Sequence, residues 1–220
     1  MLASIRRGLK RGKLPPDQAA MLHGRLASHP RHLVPARSRV ARAAQIDLLV
    51  HYMEREYATV IRVPDAAAVP ASIADYLAAQ NLPSAITVAP HPELHALPWS
   101  DRPLLAIREG AADPADIVGV QHAFAGIAET GTLMLPSAPE RPTTLHLLPE
   151  TSVVVLRASR VVGAYEEAWD LLRAEIGGMP RNVMFVTGPS RSADIEQTLE
   201  LGAHGPRRLH VVLIEDAPAA

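Results

Sequence analysis

The sequence predicts an α/β fold on a mixed, mostly parallel sheet, and three observations lead there. A β-branched run at 58–63 is followed by a helical stretch and a second apolar run at 85–89; a strand–helix–strand pattern recurs from 182 to 214; between them lie short strands separated by Pro-containing turns. Strand–helix–strand units give parallel sheets with right-handed crossovers, while short strands joined by turns pair antiparallel.

Taken in order, residues 3–9 read as a short amphipathic helix, with Ile5 and Leu9 four apart and Gly12 and Pro15-Pro16 ending it. Pro30 and Pro35, among Arg and His, make an extended connector. Residues 39–57 carry Val40, Ala44, Ile46, Leu48, Leu49, Tyr52 and Met53 near helical spacing and read as a helix. A strand at 58–63, a helix at 72–80 capped by Ser72 and a strand at 85–89 form the first unit. Strands follow at 104–108 and 117–121, divided by the Asp113-Pro114 turn, then at 131–135, 145–148 and 152–156. Ala168, Leu171, Leu172 and Ile176 share one face of a helix at 165–176, stopped by Gly177-Gly178. The last unit is a strand at 182–187, a helix at 192–201 and a strand at 209–214. The organisation expected is a basic N-terminal arm and connector (1–38), one α/β domain (39–216) and a frayed tail (217–220).

Composition narrows the function. The chain has no Cys, so it cannot supply disulfides, thiolate zinc ligands, Cys-held iron–sulfur clusters or a thiol nucleophile. No apolar run approaches the roughly 20 residues of a membrane-spanning helix, and the start has no apolar signal core, so a cytoplasmic protein is expected. The net charge of −1 hides an asymmetry: residues 1–43 hold ten Lys or Arg against Asp17 alone. The arm has no interleaved aromatic residue, which favours its folding on an acidic body or protein partner over nucleic-acid binding.

Two stretches could carry chemistry. Thr187-Gly188-Pro189-Ser190-Arg191-Ser192 places a glycine turn after a strand and before the helix expected at 192. A helix N-terminus there would offer free amides, Ser190 and Ser192 hydroxyls, and Arg191 a planar cation for a phosphate or carboxylate; an ordinary cap has the same spacing. In Glu129-Thr130-Gly131-Thr132, a turn carboxylate either acts as base, nucleophile or hydroxyl acceptor, or is satisfied by Thr130 and Thr132. The ten His show no helix-borne metal spacing, His91 and His95 flanking Pro92 in what reads as a loop, so no metal site is expected. His122 and His204 each lie beside a motif segment. No Gly-x-Gly-x-x-Gly follows a strand, so no dinucleotide site is indicated.

The stretch from Gly119 through Gln121-His122 and Glu129-Thr130-Gly131 to Leu133, the stretch Thr187 to Glu196, and Leu201-Gly202-Ala203-His204-Gly205-Pro206 together resemble the lactate-utilization protein C (LUD-domain) family. Ser192 stands where Thr is frequent in that family and Ala203 where Val is. The resemblance implies a three-layer αβα fold related to the glucosamine-6-phosphate deaminase, ribose-5-phosphate isomerase and CoA transferase group. It implies a non-redox subunit of an L-lactate to pyruvate oxidizing system, with no cofactor of its own and iron–sulfur clusters in partner proteins. Glu129 and His204 would be its catalytic residues. Thr130, Gly131, Thr132, Gly188, Pro189, Ser190, Arg191, Ser192, Asp194, Glu196 and Gly205 would bind a small anionic ligand, a carboxylate or phosphate. The alternatives are a stand-alone isomerase or CoA-transferase-like enzyme using Glu129, and a purely regulatory interaction module.

Overall fold

The computed structural model describes residues 2–10, 12–193 and 199–216. The chain forms two compact units, 1–33 and 34–220. The first holds helices α1 (Leu2–Gly8) and α2 (Pro16–Ser28). The sequence reading stopped at Pro15-Pro16 and missed α2, yet Pro16 occupies its first turn, where the absent N–H costs no hydrogen bond. No residue of α2 is buried.

The second unit runs α3 (Arg42–Arg55), β1 (Thr59–Val63), α4 (Val69–Ala79), β2 (Ala85–Val88), α5 (Pro92–His95), β3 (Ala106–Glu109), β4 (Val118–His122), β5 (Ala125–Ile127) and β6 (Thr132–Pro136). It continues with β7 (Thr151–Arg157), β8 (Val161–Val162), α6 (Tyr165–Glu175), β9 (Val183–Val186), β10 (Arg191–Ala193), β11 (Leu199–Leu201) and β12 (Arg208–Ile214). Among the described residues, six strands make one sheet, β1-β12-β7-β4-β2-β3, in which every neighbouring pair is parallel. The mostly parallel α/β architecture expected from the sequence is therefore present. Its central strands are buried along nearly their whole length, as expected when both faces are covered.

On one face α4 brings Val69, Ile73 and Leu77 against Val120, Val153 and Val212, joined by Leu94 of α5. On the other, Leu49 and Met53 of α3 share a core with Leu133 and Leu135 of β6 and with Val154, Leu156 and Val211. Each fully buried aliphatic side chain contributes roughly 1.5–3 kcal/mol. The antiparallel centre forms its own sheet, β8-β5-β6-β9, whose outer face packs on Ala168 and Leu172 of α6.

Several expectations are corrected. The strand expected at 145–148 is a 3-10 turn, Thr143–His146, which tucks Leu145 and His146 inward. Ser72 is buried within α4 rather than capping it; Asp65 accepts from the Ala68 N–H in the short 3-10 turn that precedes the helix. The residues around Pro92 form α5, a single turn, rather than a loop. The terminal strand–helix–strand unit does not form, since β9 pairs antiparallel with β6 while β12 enters the large sheet. The helix expected at 192–201 is replaced, among its described residues, by the antiparallel pair β10 and β11. The reason is local: the Ser190 N–H donates to Pro206 O and Ser190 O accepts from Gly202 N–H, so the returning arm holds the chain extended.

Helix α3 seats on two glycine turns. Gly131 has φ +67°, and a Cβ there would lie 2.6 Å from Met53 N and 2.7 Å from Tyr52 C. Gly188 has φ +75°, and a Cβ would run into the carbonyl of Glu56 at the end of α3. Gly131→Ala is expected to cost at least ~2–3 kcal/mol, visible as a drop of several degrees in thermal melts. Gly177→Ala, with nothing within 4 Å of the added carbon, should change stability by under ~0.5 kcal/mol.

His210, stacked on Tyr76 with centroids 3.7 Å apart, and His146 are both buried, and burial lowers each pKa from 6.5 to about 4. The unfolded chain takes up these protons as the pH falls below 6.5, while the folded chain resists until about pH 4. Stability from this source is thus complete above pH 6.5 and is lost as the pH drops toward 4, at up to ~1.4 kcal/mol per group per unit. Melting temperature measured from pH 7.5 to 4.5 should fall, and His210→Gln should flatten the slope.

Candidate functional site

A cavity of about 270 Å³ opens between the large sheet and the strand-to-hairpin passage after β9. Strand alternation builds its floor: Gln121 of β4, Ser152 of β7 and Leu209 of β12 point to the same side. Its walls are Met184 to Val186 of β9 and the turn Thr187-Gly188-Pro189-Ser190-Arg191, facing His204-Gly205-Pro206 and His146.

Polar groups on the wall are fixed by the fold. Gln121 Nε2 donates to Ser152 Oγ at 2.7 Å, while Gln121 Oε1 and both ring nitrogens of His146 are buried without a hydrogen-bond partner in the protein. Burial keeps His146 neutral, with one donor and one acceptor nitrogen. Ser190 Oγ accepts from the His204 backbone N–H at 3.3 Å, tying the two facing segments together. Arg191 donates to Glu56 Oε2 at 2.6 Å and lies over the Tyr57 ring, 4.7 Å from its centroid. Its charge is met within the chain.

Of the residues singled out in the sequence, Gly188, Pro189, Ser190, Arg191, His204 and Gly205 meet at this cavity. Among the described residues no helix N-terminus supplies free amides there, because Ser192 lies in β10; Asp194 and Glu196 lie outside the described residues. Glu129, Thr130, Gly131 and Thr132 are not in the cavity wall. Glu129 is 5% exposed, and its Oε1 accepts from the Tyr165 N–H at the start of α6 at 3.1 Å, a helix-capping position. Beside it Thr130, Thr132 and Tyr165 exchange hydroxyl hydrogen bonds of 2.7, 3.0 and 3.1 Å, and Thr132 reaches Thr187 Oγ1 at 2.5 Å. Thr132 thus touches the cavity through one intermediary hydroxyl.

Sequence reasoning missed Gln121, Ser152 and His146 as site residues. For the first two a signal existed: each is a polar residue inside an apolar strand run, Val-Gly-Val-Gln-His and Thr-Ser-Val-Val-Val. His146 was hidden by the strand reading of its segment. Among the described residues, a set able to hold a metal, His91, Glu93 and His122, lies outside the cavity lining.

An uncharacterized protein of Neisseria meningitidis serogroup B is 44% identical over 96 residues, covering 44% of this chain and 41% of that protein. Proteins named lactate utilization protein C match from Geobacillus kaustophilus, 37% identical over 48% of this chain and 45% of the relative, and from Bacillus subtilis, 34% identical over 45% and 42%. The chain thus spans less than half the length of these curated relatives. A crystal structure of a DUF162 family protein from Deinococcus radiodurans superposes with a TM-score of 0.60 at 20% identity, covering 80% of this chain and 99% of that one, a likeness of fold. The sequence model of the LUD domain matches residues 46–214, most of the compact unit that carries the cavity, and the chain belongs to the LUD domain family.

Proposed function

We propose that this chain is a non-redox component of an L-lactate utilization system, holding a small carboxylate-bearing ligand in the cavity while iron–sulfur partner proteins carry the electrons. The observation that supports this most is the wall itself: Gln121 and His146, both buried, turn unpartnered polar atoms onto a cavity framed by the motif turns. Burying such atoms without partners costs roughly 1–3 kcal/mol each, a cost that a ligand with matching donors and acceptors offsets. Relatives named for lactate utilization support the ligand class. The lack of Cys is consistent with electrons travelling elsewhere.

In this reading His146 and Gln121 orient the ligand, and Arg191, held on Glu56 and Tyr57, presents a fixed guanidinium at the wall. His204 stands at the mouth, and its ring orients what enters. Glu129 contributes by position: it holds the start of α6, whose Tyr165 supports the hydroxyl group set behind Thr187.

Calorimetric titration with L-lactate, whose hydroxyl can donate to Gln121 Oε1, should show saturable binding, weakened about tenfold in Gln121→Leu and in His146→Phe, equivalent to ~1.4 kcal/mol. Identical heats in the wild type and both variants would remove the cavity from the proposal. Affinity capture of the tagged chain from cells grown on L-lactate should co-purify a Cys-rich protein positive in an iron assay. Recovery of the chain without iron at low salt would count against the subunit role and leave the cavity result standing.

A further inference from the structure

The carboxyl edge of the parallel sheet holds a second constellation, outside the cavity lining. In the strand order β7-β4-β2, His122 is the last residue of β4, Arg157 the last of β7, and His91 follows β2 by three residues. After β2 the chain turns to the α4 face, where Leu94 of α5 packs. After β4 it turns to the opposite face, where Ala123 and then Phe124 and Ala125 are buried. Neighbouring parallel strands whose connections leave to opposite faces open a crevice at their carboxyl ends, the place where open α/β sheets bind ligands.

We propose that His91, Glu93 and His122 bind one divalent transition-metal ion of the zinc class in this crevice. Ligand atoms of the three residues all lie within 4.8 Å of one another, and His122 Nε2 is 3.6 Å from Glu93 Oε1. His91 and His122 are 6% and 5% exposed, and neither ring nitrogen of His122 has a hydrogen-bond partner. Two imidazoles and one carboxylate suit zinc, cobalt, nickel or ferrous iron; magnesium and calcium prefer all-oxygen sets.

The surrounding charges define how binding proceeds. His91 Nε2 lies 2.9 Å from Arg141 Nη2, and its Nδ1 lies 3.3 Å from the Glu93 N–H. A neutral ring cannot accept at both nitrogens, and the shorter, charge-assisted contact sets the tautomer, with the proton on Nδ1 and the Nε2 lone pair facing Arg141. The guanidinium of Arg141 therefore holds a cation's place, and a metal displaces it toward Glu140, which it already contacts at 3.1 Å. Glu93 Oε2 accepts from Arg157, which leaves Oε1 toward His122 and fixes the carboxylate from behind, as outer-sphere partners do. Counting Glu93, Glu140 and Asp216 against Arg141 and Arg157, the carboxylates exceed the guanidiniums by one, a balance that accepts a cation. The two rings are stacked, centroids 4.2 Å apart and 6° between planes, so one ring must turn about its Cβ–Cγ bond for the nitrogens to converge.

The test is titration of the chelator-stripped full chain with Zn²⁺ by calorimetry and with Co²⁺ by visible absorption, whose band intensities report coordination number. One equivalent is expected, weakened at least ~100-fold in His122→Ala, since loss even of outer partners costs 10–100-fold. Glu93→Gln, which keeps an amide oxygen to accept from Arg157, is expected to weaken binding at least about tenfold, with circular dichroism and thermal melts showing that the variant is folded. Arg141→Gln, which removes the competing cation, is expected to tighten it. Absence of a stoichiometric equivalent, or full-affinity binding in either His122→Ala or Glu93→Gln, would overturn the proposal.

Discussion

The close seating of helix α3 on the turns at Gly131 and Gly188 is the constraint on which the rest of the second unit depends. Both turns sit at positive φ, both meet α3 backbone where a side chain would stand, and both belong to motifs that frame the cavity or its support. With α3 down, Leu49 and Met53 close the core between the sheets, Glu56 and Tyr57 take hold of Arg191, and the strand passage after β9 is fixed over Gln121. A motif that reads as chemistry in the sequence is here in large part a packing contract between a helix and two glycines.

Strand β4 serves two places at once. Because successive side chains of a strand point to opposite faces, Gln121 reaches the cavity between the sheets and His122 reaches the crevice beside His91. One strand end thereby couples two polar environments, and a shift of β4 along its neighbours would disturb both. The register is held by parallel pairing with β7 from Val118 to His122.

Much of the scaffold was legible because burial writes itself into periodicity. The β-branched runs that became β1, β7 and β12, and the amphipathic spacing of α6, follow directly from which faces must leave water. What failed to show depended on contacts distant in sequence. The segment after Arg191 has the composition of a helix start, yet the hydrogen bonds of Ser190 with Gly202 and Pro206 hold Arg191–Ala193 extended, paired antiparallel with Leu199–Leu201. Arg191 looked like a free cation, and Glu56, 135 positions away, took its charge. Glu129 looked like a base in a turn, and its partner was the first turn of α6. His91, Glu93 and His122 come together only because β2 and β4 are neighbours, a fact of topology that no spacing along the chain records.

The hydroxyl set behind the cavity has a direction. Thr130 donates to Tyr165 and Tyr165 donates to Thr132; each hydroxyl has one proton, so the contact between Thr132 and Thr130 must be closed by the proton of Thr132. The ring is then homodromic, and Thr132 has nothing left to give Thr187. Thr187 must therefore spend its own proton inward, on Thr132, and it meets the cavity with lone pairs alone. A proton count three residues deep thus sets the polarity of the wall: at Thr187 the chamber is an acceptor, matched to the O–H of a hydroxy acid rather than to its carboxylate.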